Sequence, residues 1–282
     1  MQEQGVELWL KRDDLLHPVI SGNKWRKLKY ILDHALSLNT QKIISMGGAY
    51  SNHLHALSYV GQSLGIKTHG IIRGERPEVL NPTLSDLFSW GMTTDFVSRS
   101  EYRQLRTYKE YDSLPGLQAG EYWLPEGGAM ELALQGVAEL VDELGGDYDV
   151  LCVPCGTATT LAGIIGAVSE DKQVLGFAAL KGAGFLSTDV QFMLKNKSCH
   201  HKDWVISLDY HFGGFAKVNP VLLDFISNFE QAHNIKLEPV YTGKMLYGIY
   251  ALIKQGFFKP GQKIIAVHTG GLQGNRGFVA LK

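Results

Sequence analysis

The chain has too few cysteines to build a disulfide framework. Cys152, Cys155 and Cys199 are the only three in 282 residues, a usage that suits a reducing cytoplasm. Nor is there a surplus of one charge: 27 basic and 28 acidic side chains leave a formal net charge of -1, with no long run of either sign. That balance argues against a nucleic-acid groove or a polybasic membrane patch. No apolar segment approaches membrane-spanning length, and residues 1–15 lack the apolar core of a secretory signal. Internal repeats and low-complexity segments are also missing. The expectation is therefore a cytoplasmic protein without nucleic-acid or membrane partners. At 31.2 kDa it is long enough for two domains.

Glycine, by contrast, is plentiful at 32 residues, which implies many tight turns or close backbone approaches. Apolar strand-like runs alternate with helical patterns, so the fold class expected is α/β with largely parallel sheets. Strands are expected at 6–12, 42–47, 67–74, 93–98, 149–156, 172–180, 203–209 and 262–271. Helices are expected at 23–36, 52–65, 129–145, over the run after 158, and at 219–233 and 243–255, with a further unit at 82–91. The stretch 99–128 mixes aromatic and charged residues without a period that fixes its elements, and the region from 181 to 203 reads as irregular. Parallel sheets of this kind bring ligands to their strand ends and to the cleft between domains.

Five short motifs lie at such ends. In SGNKWRK (21–27), Lys24 is either an ordinary solvated cation or an amine able to form a Schiff base, which requires its pKa to be lowered by burial or by neighbours such as Arg26, Lys27 and Lys29. In GGAYSNHLH (47–55), Ser51 suits a helix cap, and the turn could hold a substrate carboxylate with Ser51 and Asn52 facing the reacting centre. His53 and His55 point apart on a helix and make no metal pair, and no metal site is expected. CGTATT (155–160) offers backbone N–H groups and hydroxyls suited to a phosphate, without the spacing of a dinucleotide fingerprint or a Walker loop. Cys155 there reads as a nucleophile or as a small core residue. In EPVYTGKMLYG (238–248), Tyr241 offers a phenol and Thr242 a neutral hydrogen bond, while Lys244 rivals Lys24 for an aldehyde. HTGG (268–271) is a fifth glycine-rich turn, either a simple loop or room for a cofactor's edge.

Taken in order, LWLKRDDL, SGNKWRKL, GGAYSNH, PCGTATTLAG, EPVYTGK and HTGGLQG resemble the pyridoxal-phosphate enzymes of the tryptophan-synthase-β-like fold, fold type II. Within these, the resemblance is to the D-cysteine desulfhydrase and 1-aminocyclopropane-1-carboxylate deaminase family. It covers nearly the whole chain, which is short at the N-terminal end beside family members. The resemblance implies two open, twisted, mostly parallel sheet domains flanked by helices, with pyridoxal 5'-phosphate in the interdomain cleft. Residues 1–32 and 138–282 would form the larger domain and 33–137 the smaller. It implies Lys24 as the Schiff-base lysine and Asn52 as partner of the ring hydroxyl oxygen. Cys155, Gly156, Thr157, Ala158, Thr159 and Thr160 would cradle the phosphate, and Thr242 would meet the pyridine nitrogen. Ser51, Asn52, His53 and Tyr241 would contact the substrate, with Lys24, Ser51 and Tyr241 catalytic. A homodimer is implied as well.

The chain departs from the family pattern at several positions. Ala158 and Thr159 stand where glycines are usual, Thr242 where the deaminase type has glutamate, Phe215 where a second tyrosine is expected, and His53 where the deaminase type has glutamine. The last three favour elimination of a good β leaving group over opening of an unactivated cyclopropane. The expected reaction is D-cysteine to pyruvate, sulfide and ammonia. The alternatives are the cyclopropane deaminase, a serine or threonine dehydratase, a racemase, and a cofactor-free binding protein on the same fold.

Overall fold

A computed structural model describes residues 5–195 and 203–278, so Cys199 lies outside the described residues. The chain divides into two compact units, Met1–Leu16 with Val137–Leu272 and His17–Gly136 with Gln273–Lys282. Each is an α/β unit with one parallel sheet.

The smaller unit contains β2 (Lys42–Gly48), β3 (Lys67–Arg73), β4 (Thr93–Val97) and β5 (Glu121–Leu124), in the order β4-β3-β2-β5. All pairings are parallel. The helices are α1 (Gly22–Ser37), α2 (Asn52–Leu64), α3 (Pro82–Ser89) and α4 (Arg99–Leu105). Alternation along β2 sends Ile43 toward the cluster formed with Leu28, Ile31, Leu54 and Leu57, while Ile44 and Met46 join Tyr102 and Trp123 in a second cluster. Both faces are therefore covered, as a parallel sheet requires. The chain runs from β2 through α2 to β3 on one side, whereas β5 joins β2 on the other. The carboxyl end of β2 is thus the point where strand order reverses, the place where open α/β sheets take ligands.

The larger unit contains β1 (Glu7–Lys11), β6 (Val150–Cys155), β7 (Gln173–Ala178), β8 (Trp204–Ser207) and β9 (Lys263–Val267), in the parallel order β1-β9-β6-β7-β8. α6 (Thr159–Ile165), α7 (Phe185–Leu194), α8 (Pro220–His233) and α9 (Thr242–Lys254) belong to this unit, while α5 (Glu131–Asp142) spans the division. β6 is buried at every position, as the apolar run VLCVPC implies for a central strand. Its pairing with β9 stops at Cys152 but continues with β7 to Cys155. Pro154, lacking an N–H, cannot extend a ladder on both sides. Strand order reverses at β6 and β9, so the turns after them lie at this sheet's own switch point.

Three elements go beyond the sequence expectation. β5 and α4 form within 99–128, and α7 forms within the stretch expected to be irregular. The division also differs from the expected one. Residues 17–32 group with the smaller unit because Leu28, Ile31 and Leu32 of α1 pack in its core. The segment from Gln273 joins the same unit because Gln273 and Arg276 bond to Asn52, Thr83 and Asp86.

Candidate active site

Lys24, Ser51, Asn52 and His53 all belong to the smaller unit. Lys24 lies in the first turn of α1, whose entry is bent: Ser21 has φ 47° and ψ 142°, and Gly22 has φ 57°. For a residue with a Cβ such a backbone costs about 1–3 kcal/mol, so the rest of the unit must hold it. Lys24 is half-buried as a residue, yet its amine is enclosed and burial lowers its pKa to about 8. Desolvation is the cause rather than the neighbouring cations suggested by the sequence. At that value roughly one amine in ten is neutral at pH 7, against fewer than about one in a thousand for an ordinary lysine. Its hydrogen bond runs to Asn23 Oδ1 at 3.2 Å.

At the end of β2, Gly47 allows the turn to close on itself, since a Cβ there would lie 2.5 Å from Ser51 Oγ. Ser51 caps α2 by accepting the Leu54 N–H at 3.2 Å. Its hydroxyl oxygen is engaged, and the hydroxyl proton remains to be given. Asn52 Oδ1 accepts from Gln273 Nε2.

His53 is placed differently from the expectation of substrate contact. It is 3 % exposed, and Nε2 lies 2.8 Å from Ser45 Oγ. Because that hydroxyl donates to Leu124 O at 2.7 Å, it accepts from His53 Nε2–H. The ring is held neutral, its pKa well below the usual value through desolvation and the charges of Lys24 and Lys27. His53 is therefore core packing behind the site rather than a hand on the substrate.

In the larger unit, the turn 156–160 follows β6. Ala158 takes φ 48° and ψ −18°, a left-handed conformation that a methyl side chain makes costlier by about 1–2 kcal/mol. Thr159, the other departure from glycine, is the first residue of α6 and is not at positive φ. Its hydroxyl donates to Thr157 O at 2.9 Å and stands 3.2 Å from Thr157 Oγ1, while Thr160 is buried beside it. Among the described residues the N–H groups of Thr157 and Ala158 have no acceptor. Two spare amide donors in one tight turn fit a phosphate. The Cys155 side chain does not join them, since its sulfur packs 3.0 Å from where a Cβ on Gly176 would stand. It is the core cysteine of the two readings.

Gly156 makes room for Tyr241: a Cβ there would be 2.9 Å from the ring and 3.2 Å from the phenol oxygen. Phe215 meets the same ring edge-on at 6.0 Å. Tyr241 precedes α9, whose first residue is Thr242. Glu238, which the sequence reading passed over, organises both. Its buried carboxylate accepts the N–H groups of Val240, Tyr241 and Thr242, and Thr242 Oγ1 donates to it at 3.1 Å. Burial raises the Glu238 pKa while these donors oppose the rise. With its proton drawn to Glu238, Thr242 Oγ1 turns a lone pair rather than a proton toward any other partner. A carboxylate four residues before a helix start was a readable signal for this cap. Lys244, the rival lysine, is buried, and its amine donates to Gly214 O at 2.7 Å and Ala179 O at 3.4 Å.

The sequence profile of pyridoxal-phosphate dependent enzymes matches residues 1–270. The chain belongs to that family. A bifunctional D-cysteine desulfhydrase/1-aminocyclopropane-1-carboxylate deaminase of Arabidopsis thaliana is 28% identical over 297 residues, 96% of this chain and 73% of that protein. A 1-aminocyclopropane-1-carboxylate deaminase of Rhizobium rhizogenes is 26% identical over 307 residues, 97% of this chain and 89% of its own. The crystal structure of an ACC deaminase homologue superposes with a TM-score of 0.82 at 27% identity, covering 99% of this chain and 89% of that one. The two parallel-sheet units are thus the fold type II architecture. Taken unit by unit, the smaller offers a lysine amine of depressed pKa and an asparagine amide, and the larger a turn with spare N–H groups; each is of a kind that pyridoxal phosphate can use, so the residues present fit the family's cofactor. No described helix is long and apolar enough to cross a membrane.

Proposed function

We propose that this enzyme eliminates the β substituent of a small amino acid, with D-cysteine as model substrate: D-cysteine and water give pyruvate, hydrogen sulfide and ammonia. Bound pyridoxal phosphate supplies a carbonyl that condenses with amines and a ring that spreads the electron pair left at Cα. Lys24 Nζ, enclosed and partly neutral, is the base that takes the Cα proton. Asn52 would hold the cofactor's ring oxygen, the turn 156–160 its phosphate and Thr242 its ring nitrogen. The Ser51 hydroxyl proton, or that of Tyr241, goes to the departing sulfur, and the other group steers the substrate carboxylate.

The observation that carries the choice of reaction is Phe215 against Tyr241. This pair holds one phenol where two were expected, enough to protonate a thiolate that leaves readily. Thr242 weighs less than the sequence suggested, because Glu238 stands one hydrogen bond behind it. The D preference is supported by the name of the Arabidopsis relative. The names of that relative and the Rhizobium protein support a second reading, ring opening of 1-aminocyclopropane-1-carboxylate to 2-oxobutanoate and ammonia. A cytoplasmic homodimer completes the proposal.

Incubating the purified holoenzyme with D-cysteine, L-cysteine and 1-aminocyclopropane-1-carboxylate, and quantifying the two keto acids, separates these readings. Pyruvate formed fastest from D-cysteine is the expected result. Faster turnover of the L form overturns the preference, and 2-oxobutanoate as the sole product overturns the reaction.

A further inference from the structure

Asn52 sits at one end of a hydrogen-bond chain whose polarity is fixed at the other. Arg276 carries only donors. One of its terminal nitrogens contacts Asp86 Oδ2 at 2.5 Å and Gln273 Oε1 at 3.1 Å. Asp86 is held well in its charged form by Arg276 and His55, which bonds it at 2.9 Å. Thr83, fully buried, donates its hydroxyl to the same Gln273 oxygen at 2.8 Å.

An amide can be turned end for end without changing shape, so hydrogen-bond partners decide its direction. Turning Gln273 round would set an NH2 group against a guanidinium. Gln273 therefore directs its nitrogen at Asn52, and Asn52 must answer with its own oxygen. The Asn52 Nδ2 group is left as the outward end, and among the described residues it has no acceptor. An asparagine fixed this way selects an oxygen that accepts, and an anionic one above all.

We infer that Gln273 and Arg276 are positioning residues that hold the Asn52 amide with its N–H groups outward, so that it donates to the ring oxygen of pyridoxal phosphate. This rests on the reading of Asn52 as a cofactor contact proposed above. The relay spans 221 residues of sequence between Asn52 and Gln273, and it ties the segment after β9 to the cofactor's binding strength.

The decisive variant is Gln273→Glu. A carboxylate keeps and strengthens the bonds from Arg276 and Thr83, yet it cannot donate to Asn52. The Asn52 amide would then turn its nitrogen toward residue 273 and its oxygen toward the cofactor. Pyridoxal phosphate binding to cofactor-stripped protein, followed by fluorescence, is expected to weaken about tenfold or more in this variant. Gln273→Met, which leaves Asn52 merely unheld, should weaken it about threefold. The melting temperature of stripped Gln273→Glu should be no lower than that of the wild type, whereas a purely structural role would link loss of binding to loss of stability. In an Asn52→Ala background the Gln273→Glu effect should vanish. Wild-type binding by Gln273→Glu, or an undiminished effect without Asn52, overturns the inference while leaving the cofactor reading intact. If borohydride treatment of the wild type with pyridoxal phosphate labels no Lys24 on peptide mapping, both fall together.

Discussion

Lys24 and Lys244 are two lysines whose pKa burial lowers to about 8, and they are held in different ways. Lys244 is tied down by the carbonyls of Gly214 and Ala179, and Glu238 partly restores its charge. Its amine braces the Gly214 backbone beside Phe215. Lys24 follows a bent entry to its helix, and its bond runs only to the neighbouring Asn23 side chain. A depressed pKa therefore does not by itself identify a reactive amine. What differs is the tether: two backbone carbonyls from distant segments fix the Lys244 nitrogen in place, whereas Lys24 is bonded to one side chain beside it in its own helix turn.

The sharpest way to break this comparison is to delete each amine in turn. Lys24→Ala should lower kcat for amino-acid turnover by about 10³-fold or more, within the range for losing a catalytic base, and should abolish borohydride-fixed pyridoxal phosphate. An equal loss of label in Lys244→Met would erase the distinction. The expected effect of Lys244→Met is instead on stability: the Ala179 carbonyl loses its donor and the Gly214 carbonyl one of two, for about 1–3 kcal/mol, read as a lower urea midpoint with Lys24 labelling retained in the folded fraction.

A titration sharpens the contrast further. The initial rate of Lys24 labelling should rise with pH around a midpoint near 8, and a midpoint near 10.5 would mean the amine is solvated. The sign for stability follows. Both folded lysines have pKa values below the unfolded 10.5, so between about 8 and 10.5 the unfolded chain binds more protons. Stability of the cofactor-free protein should then rise with pH across that window, less so in either lysine variant. The smallest effect is expected from Glu238→Gln. Removing that charge should lower the Lys244 pKa further while leaving the Lys24 labelling midpoint in place, which NMR of labelled lysines and the same titration would detect.

Legibility in the sequence varied with the distance over which a signal acts. The strand-turn-helix runs at 42–64 and 150–165 were readable because an apolar run and a glycine turn lie side by side in both, with the Ser51 cap added in the first. β5 was not, because four residues carry no period and the strand exists only by pairing with β2, as Lys42 with Glu121. α4 had a signal that went unused, the capping box of Ser98 and Glu101. Ser51 could be named as a cap from its neighbours. Gln273 and Arg276 could not be named as its neighbour's supports, since nothing local to HTGGLQGNRG points at residue 52.

The departures from the family pattern were visible as letters, but their weight was not. Ala158 and Thr159 both stand where glycines are usual, yet only Ala158 is at positive φ, while Thr159 begins a helix. Thr242 looked like a carboxylate lost, until Glu238 proved to be bonded to it. His53 looked like a substrate contact and lies in the core against Ser45.

By itself the sequence determined the fold class, the order of most elements and the turns where chemistry belongs, because period, glycine and capping hydroxyls act through the few residues next to them. Which lysine is tied to distant backbone carbonyls and which way an asparagine amide faces were decided only when distant segments packed together, because desolvation and hydrogen-bond polarity depend on neighbours that the chain supplies from far along its length.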